Sequence, residues 1–151
     1  MKEIPIKNTN QFCLVDDDLY DELVEYGPWY LHHGYVVQHG RKQGDAIHRF
    51  IVPGAPNVDH KDFNRLNNQR SNLRAATTSQ NRAHRRLFRN SRTGLIGVCL
   101  HARTGRYQSY VNKDGIRYNV GTYDCAILAA KARDKKAFEL FGEFAVLNFP
   151  I

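Results

Sequence analysis

The sequence predicts an α+β protein built as two small domains, and three observations predict it. At 151 residues the chain has room for one ordinary domain or two small ones. Its apolar residues come in short runs broken by Gly, Pro, Asn and Asp, the pattern of short strands joined by tight turns. An arginine-rich stretch in the middle gives way at Gly94 and Gly97 to a segment of different composition. The expected division is a first domain over 1–81, a basic helix end and linker over 82–93, and a second domain over 94–151. The last should be a three-stranded antiparallel sheet packed on one helix.

Each element has a local reason. Asp16-Asp17-Asp18 before Leu19, Leu23 and Val24 reads as a short helix, because acids suit its positive N-terminal end, and Gly27-Pro28 stops it. Trp29-Tyr30-Leu31 and Tyr35-Val36-Val37, broken at Gly34, read as a hairpin with His32 and His33 on the surface by its turn. A short apolar element runs from Ile47 to Val52 and ends at Pro53-Gly54. Val58-Asp59-His60 is one strand, the Asn-rich stretch Lys61–Ser71 a loop, and Leu73–Ala76 a second strand. Thr78 caps a helix that runs through Asn81 and His84 toward Leu87. Ile96–Leu100, Arg106–Asn112 and Ile116–Thr122 form a meander turned at Thr104-Gly105 and Lys113-Asp114-Gly115. Asp124 caps an Ala/Lys-rich helix that ends at Phe141-Gly142, with an apolar stripe of Ala126, Ala129, Ala130, Ala137, Leu140 and Phe141.

Composition bounds the function. The chain is 42% hydrophobic and 25% charged, ordinary for a folded protein. No apolar run is long enough for a membrane span, and the N-terminus lacks the apolar core of a secretory signal, so a cytoplasmic setting is expected. Cys13, Cys99 and Cys125 are odd in number and widely spaced. They exclude a disulfide framework, no structural zinc is expected, and each reads as a small buried thiol. Lys and Arg exceed Asp and Glu by 22 to 15, for a net charge of +7. Residues 1–45 hold eight acids against four bases, whereas 46–93 hold ten bases against two acids. Arg82, Arg85, Arg86, Arg89 and Arg92 follow one another without an acid, which suits a segment tracking the phosphates of a nucleic acid.

The chemistry concentrates between Asp59 and Asn81. Strand, loop, strand and helix would bring these ends together, with Asn81 in the first turn of the helix. Asp59 and Asn81 then offer two hard oxygens to one cation, a donor set that suits Mg²⁺ or Mn²⁺. His60 beside them can take a proton from water near neutral pH.

The segments I-H-R-F-I at 47–51, V-D-H-K-D at 58–62, L-N-N-Q-R-S-N-L-R at 66–74 and T-S-Q-N at 78–81 resemble the HNH nucleases of ββα-metal fold, in the branch that ends in Asn. The resemblance implies metal ligands Asp59 and Asn81, His60 as general base, and Asn72 as the side chain holding His60 or its loop. His48 matches a histidine before the core motif, where packing or phosphate contact is expected.

In the second domain, alternation places Val98, Leu100, Tyr107, Val111, Tyr118 and Val120 against the helix. His101, Arg103, Arg106, Gln108, Tyr110, Asn112, Arg117 and Asn119 take the opposite face, whose donors and acceptors suit base edges and phosphates. The motifs G-V at 97–98, G-R-Y at 105–107, V-G-T-Y at 120–123, A-I-L-A-A-K-A-R-D at 126–134 and A-V-L-N-F-P at 145–150 resemble the plant ethylene-response-factor (APETALA-type) DNA-binding domain. That resemblance implies a sheet laid in the major groove of double-stranded DNA, although Cys99 and Asn119 replace an arginine and a tryptophan typical of the plant proteins.

Together the two resemblances imply a homing-type endonuclease of the kind found in phages and mobile introns. It should act as a monomer that nicks, with dimers or successive events needed to cut both strands. The competing readings are a non-catalytic DNA-binding regulator that retains an inactive nuclease fold, and a protein acting on RNA, whose narrow major groove would not admit the sheet.

Overall fold

The computed structural model describes residues 1–38, 45–84 and 92–150. The chain divides into two compact units, Met1–Thr77 and Thr78–Ile151. Both combine small antiparallel sheets with short helices, an α+β architecture.

The first unit begins with a hairpin the sequence pattern did not announce, β1 (Lys2–Pro5) paired with β2 (Phe12–Val15). A 3-10 turn at Asp17–Leu19 leads into α1 (Tyr20–Tyr26). The hairpin of β3 (Trp29–His32) and β4 (Tyr35–Gln38) follows, as its alternation predicts. The apolar element after Ala46 is a one-turn helix, α2 (Ile47–Ile51). β5 (Asn57–His60) and β6 (Leu73–Ala76) pair in register, Asp59 opposite Arg74 and His60 opposite Leu73. The core gathers one or two side chains from β1, β2, α1, β3, β4 and α2: Ile4, Cys13, Val15, Leu23, Trp29, Val36 and Ile47. Trp29 is held by its indole N–H, which donates to the Leu23 carbonyl at 2.7 Å.

The second unit opens with α3 (Thr78–Ala83) and contains the meander β7 (Val98–His101), β8 (Arg106–Lys113) and β9 (Ile116–Tyr123). The helix α4 (Ala126–Phe141) packs against β8 and β9. Alanines at 129, 130 and 137 are fully buried, so the helix backbone lies close to the sheet. At Gly97 (φ +67) a Cβ would stand 2.5 Å from the Tyr110 carbonyl oxygen, so the start of β7 requires glycine. A bulge between Ser109 and Tyr110 shifts the β8–β9 register, with Val120 as the extra residue.

Three local expectations need correction. Leu100 was expected to pack on the helix, but it is 50% exposed on the edge strand β7. Asp124 does not cap α4: the residue preceding the helix is Cys125, and the Asp124 carboxylate pairs with Arg106 at 2.7 Å. Cys99 is an exposed thiol, because strand alternation turns it to the open face, whereas Cys13 is buried and Cys125 half-buried.

The apolar stripe of α4 also contains two charges. Arg133 and Asp134 are both buried. Asp134 accepts from Asn148 and Phe149 backbone N–H groups at 2.8 and 3.0 Å, and from the Asn148 amide and the Arg133 guanidinium at 2.9 and 3.1 Å. Asn148 in turn bonds both backbone groups of Ile96. The A-V-L-N-F-P ending is thus a strap that ties the tail to α4 and to the entry of the sheet.

Candidate active site

The loop between β5 and β6 is built by its own amides. The Asn72 amide oxygen accepts from the Asp62 N–H at 3.0 Å, and its NH₂ donates to the Asp62 carboxylate at 2.9 Å and the Asn67 carbonyl at 2.8 Å. Asp62 also accepts from the Asn64 N–H at 2.7 Å and the Asn67 amide at 2.9 Å. Backbone bonds from Leu14 to Leu66 and from Asn68 to Leu14 lay this loop along β2. The guanidinium of Arg70 pairs with Asp18 at 2.6 Å, and its backbone N–H donates to Asp16 at 2.8 Å. The acids of the first segment therefore clamp the loop that follows His60.

His60 ends β5 and is 5% exposed. Its Nε2 lies 3.1 Å from Oδ1 of Asn68, a side chain with no exposed surface. Asn68 donates from Nδ2 to the Arg65 carbonyl and to Sγ of Cys13, each at 3.1 Å. Burial pushes the Cys13 thiol up to about 12, so it stays protonated and packs as an apolar group. Burial also lowers the His60 pKa, partly offset by the Asn68 bond and by the carboxylates of Asp62 and Asp59. His60 is therefore a neutral imidazole at neutral pH, able to accept a proton.

His48, in α2, is 6% exposed, with its ring 5.4 Å from His60 in an edge-to-face contact and 5.3 Å from Tyr35. Burial and the neighbouring His60 hold its pKa down at about 4. Asp59 is buried and ion-paired with Arg74 at 2.8 Å, across the β5–β6 hairpin. Cross-strand register was the signal for that pair, and sequence reading missed it. It also missed Asn68. The amide at His60 belongs to Asn68, whereas Asn72 secures the loop.

The residues present fit a divalent ion through donor chemistry. Asp59 carries a carboxylate, a hard-oxygen donor, that accepts from Arg74 Nε at 2.8 Å. Asn81, in the first turn of α3 in the second unit, carries an amide oxygen of the same hard-donor type. Among the described residues there is no group of three or more His, Cys, Asp or Glu side chains that could hold a metal.

Residues 52–83 match the family described as HNH endonuclease. Over 170 aligned positions, covering 93% of this chain and 87% of the relative, the sequence is 32% identical to an uncharacterized HNH endonuclease of Acanthamoeba polyphaga mimivirus. The chain belongs to the HNH endonuclease family. The matched residues enclose Asp59, His60, Asn68, Asn72 and Asn81. This HNH protein is accordingly a nuclease hydrolase.

The expected DNA-facing residues lie apart from this cluster in the sequence. Arg103, Arg106, Gln108, Asn112, Arg117 and Asn119 are exposed, and Tyr110 and His101 are half-buried. Arg103 sits in the β7–β8 turn and the others on strands. Arg117 stacks over the Tyr110 ring at 4.1 Å, and the His101 ring bonds Thr104 at 3.0 Å. Arg82 is exposed on α3, while Arg85, Arg86 and Arg89 lie outside the described residues. No helix among the described residues is long and apolar enough to cross a membrane.

Proposed function

We propose that this chain is a site-preferring DNA endonuclease of homing type that nicks one strand, leaving a 5′ phosphate and a 3′ hydroxyl. The observation that carries the reading is a buried His60, anchored by Asn68 and next to Asp59, within the segment that matches the family. His60 takes the proton of the attacking water as its oxygen bonds phosphorus. The bond from phosphorus to the 3′ oxygen breaks, and the 3′ oxygen takes its proton from solvent. A divalent ion, Mg²⁺ or Mn²⁺, held by Asp59 and Asn81 would supply charge stabilisation at the scissile phosphate. Arg74 fixes the Asp59 carboxylate, and Asn72 fixes the loop that follows His60.

In this reading Thr78–Ala83 completes a ββα-metal arrangement with the β5–β6 hairpin. Residues 82–93 form a basic linker that tracks phosphates. The sheet of the second unit, a domain of ethylene-response-factor (APETALA) type, lies in the major groove. Its exposed Arg, Gln and Asn side chains support this, since they are the residue types that read base edges.

The test is cleavage of supercoiled plasmid with Mg²⁺ or Mn²⁺. His60→Ala should lower the nicking rate by about 10²–10⁴-fold while DNA affinity stays within about twofold. Unaltered cutting by that variant removes His60 as the base. A wild-type protein that binds DNA but nicks no member of a random-sequence plasmid library would instead be a regulator with an inactive nuclease fold.

A further inference from the structure

We infer that Asn68 is a positioning residue that fixes the tautomer of His60, holding the proton on Nε2 and leaving Nδ1 as the nitrogen that accepts the proton from water. The inference rests on the nuclease reading and assigns an atom to it. Its basis is a direction forced through three bonds. The Arg65 backbone carbonyl can only accept, so the Asn68 group 3.1 Å from it is the NH₂. The amide oxygen then faces His60 Nε2 at 3.1 Å. An amide oxygen can only accept, so Nε2 must carry the hydrogen. In a neutral imidazole the other nitrogen is then the base.

The amide has no freedom to turn over. Asn68 is completely buried, and its NH₂ also donates to Cys13 Sγ at 3.1 Å. Flipping it would set the amide oxygen against the Arg65 carbonyl and the NH₂ against Nε2–H. Its backbone is fixed as well, because the Asn68 N–H donates to the Leu14 carbonyl of β2 at 2.8 Å. Among the described residues Nδ1 of His60 takes part in no hydrogen bond. One ring nitrogen is committed and the other is available, which is what a general base needs.

The experiment reads the tautomer and the chemistry separately. Long-range ¹H–¹⁵N imidazole spectra of the full chain at neutral pH, assigned by comparison with His60→Ala, should show His60 protonated at Nε2 and bare at Nδ1. In Asn68→Ala the two tautomers should mix. Its single-turnover nicking rate should fall on the order of 10–100-fold with DNA affinity unchanged, a split that mere loosening of the fold would not give. A wild-type spectrum with the proton on Nδ1 overturns the inference without any variant. So does an Asn68→Ala protein that nicks at the wild-type rate. In both cases the nuclease reading survives if the wild type cuts and His60→Ala does not. A wild type that never nicks fails on the function itself and removes the catalytic role of Asn68 with it, whatever the spectrum shows.

Discussion

The two units bury polar groups for different ends. In the second unit the Asp134 carboxylate takes four bonds, from Arg133, from the Asn148 backbone and side chain, and from Phe149. That fills a carboxylate's acceptor capacity, so the group can hold a chain end in place and do nothing more. In the first unit the chain of bonds from Cys13 through Asn68 ends on an imidazole with one nitrogen committed. A saturated carboxylate is mortar, whereas an imidazole left with one nitrogen unbonded can move a proton.

The sharpest way to break this contrast is Asp134→Ala. It leaves Arg133, buried in the same strap, without its carboxylate, and frees the Asn148 and Phe149 N–H groups. The expected loss is about 3–5 kcal/mol, enough to unfold a unit of this size. Hydrogen exchange should rise through β7, β8, β9 and α4 while β5 and β6 keep their protection. Equal loss of protection in both hairpins would show that the strap is not local to its unit.

A smaller effect is expected in the first unit, from acid. His48 titrates at 6.5 when unfolded and at about 4 when folded, because burial and the adjacent His60 disfavour its charged form. The folded pKa lies below the unfolded one. The unfolded chain therefore binds more protons in that window, and stability is lost as pH falls from 6.5 toward 4. His60, also lowered, works in the same direction. The His48 share is at most about 3 kcal/mol. Urea denaturation at neutral pH and near pH 4.5 checks it: His48→Phe should lose clearly less stability on acidification than the wild type. Identical losses would locate the acid sensitivity elsewhere.

Sequence patterns carried β3 to β6, the meander and the Asp59–His60 pair, because alternation and turn residues are local signals, but not the β1–β2 hairpin. They did not distinguish Asn67 from Asn68. Those neighbours differ only in what β2 does, and Cys13 lies 55 residues from Asn68. The same holds for Arg133 and Asp134, two charges on an apolar stripe whose partner Asn148 arrives with the tail. Leu100 failed differently: alternation names the face of a residue, but an edge strand leaves part of that face uncovered. In each case the missing information was a contact between distant segments.

The smallest expected effect tests the proposal that the second unit reads DNA. Arg106 and Arg117 sit on the exposed sheet face, and each has a modest internal partner, Asp124 at 2.7 Å and the Tyr110 ring at 4.1 Å. These exposed contacts contribute little to folding, so alanine at either position should leave the unit folded. If the guanidinium groups reach base edges, each loss should reduce discrimination at one or two positions of the target by about 1–3 kcal/mol. Arg85→Ala with Arg86→Ala should instead weaken every sequence alike and flatten the salt dependence by roughly two. Binding to a randomised duplex library at two salt concentrations separates the patterns. If Arg106→Ala and Arg117→Ala behave as the linker pair does, the sheet is a second phosphate-tracking surface, and sequence preference must arise elsewhere in the chain.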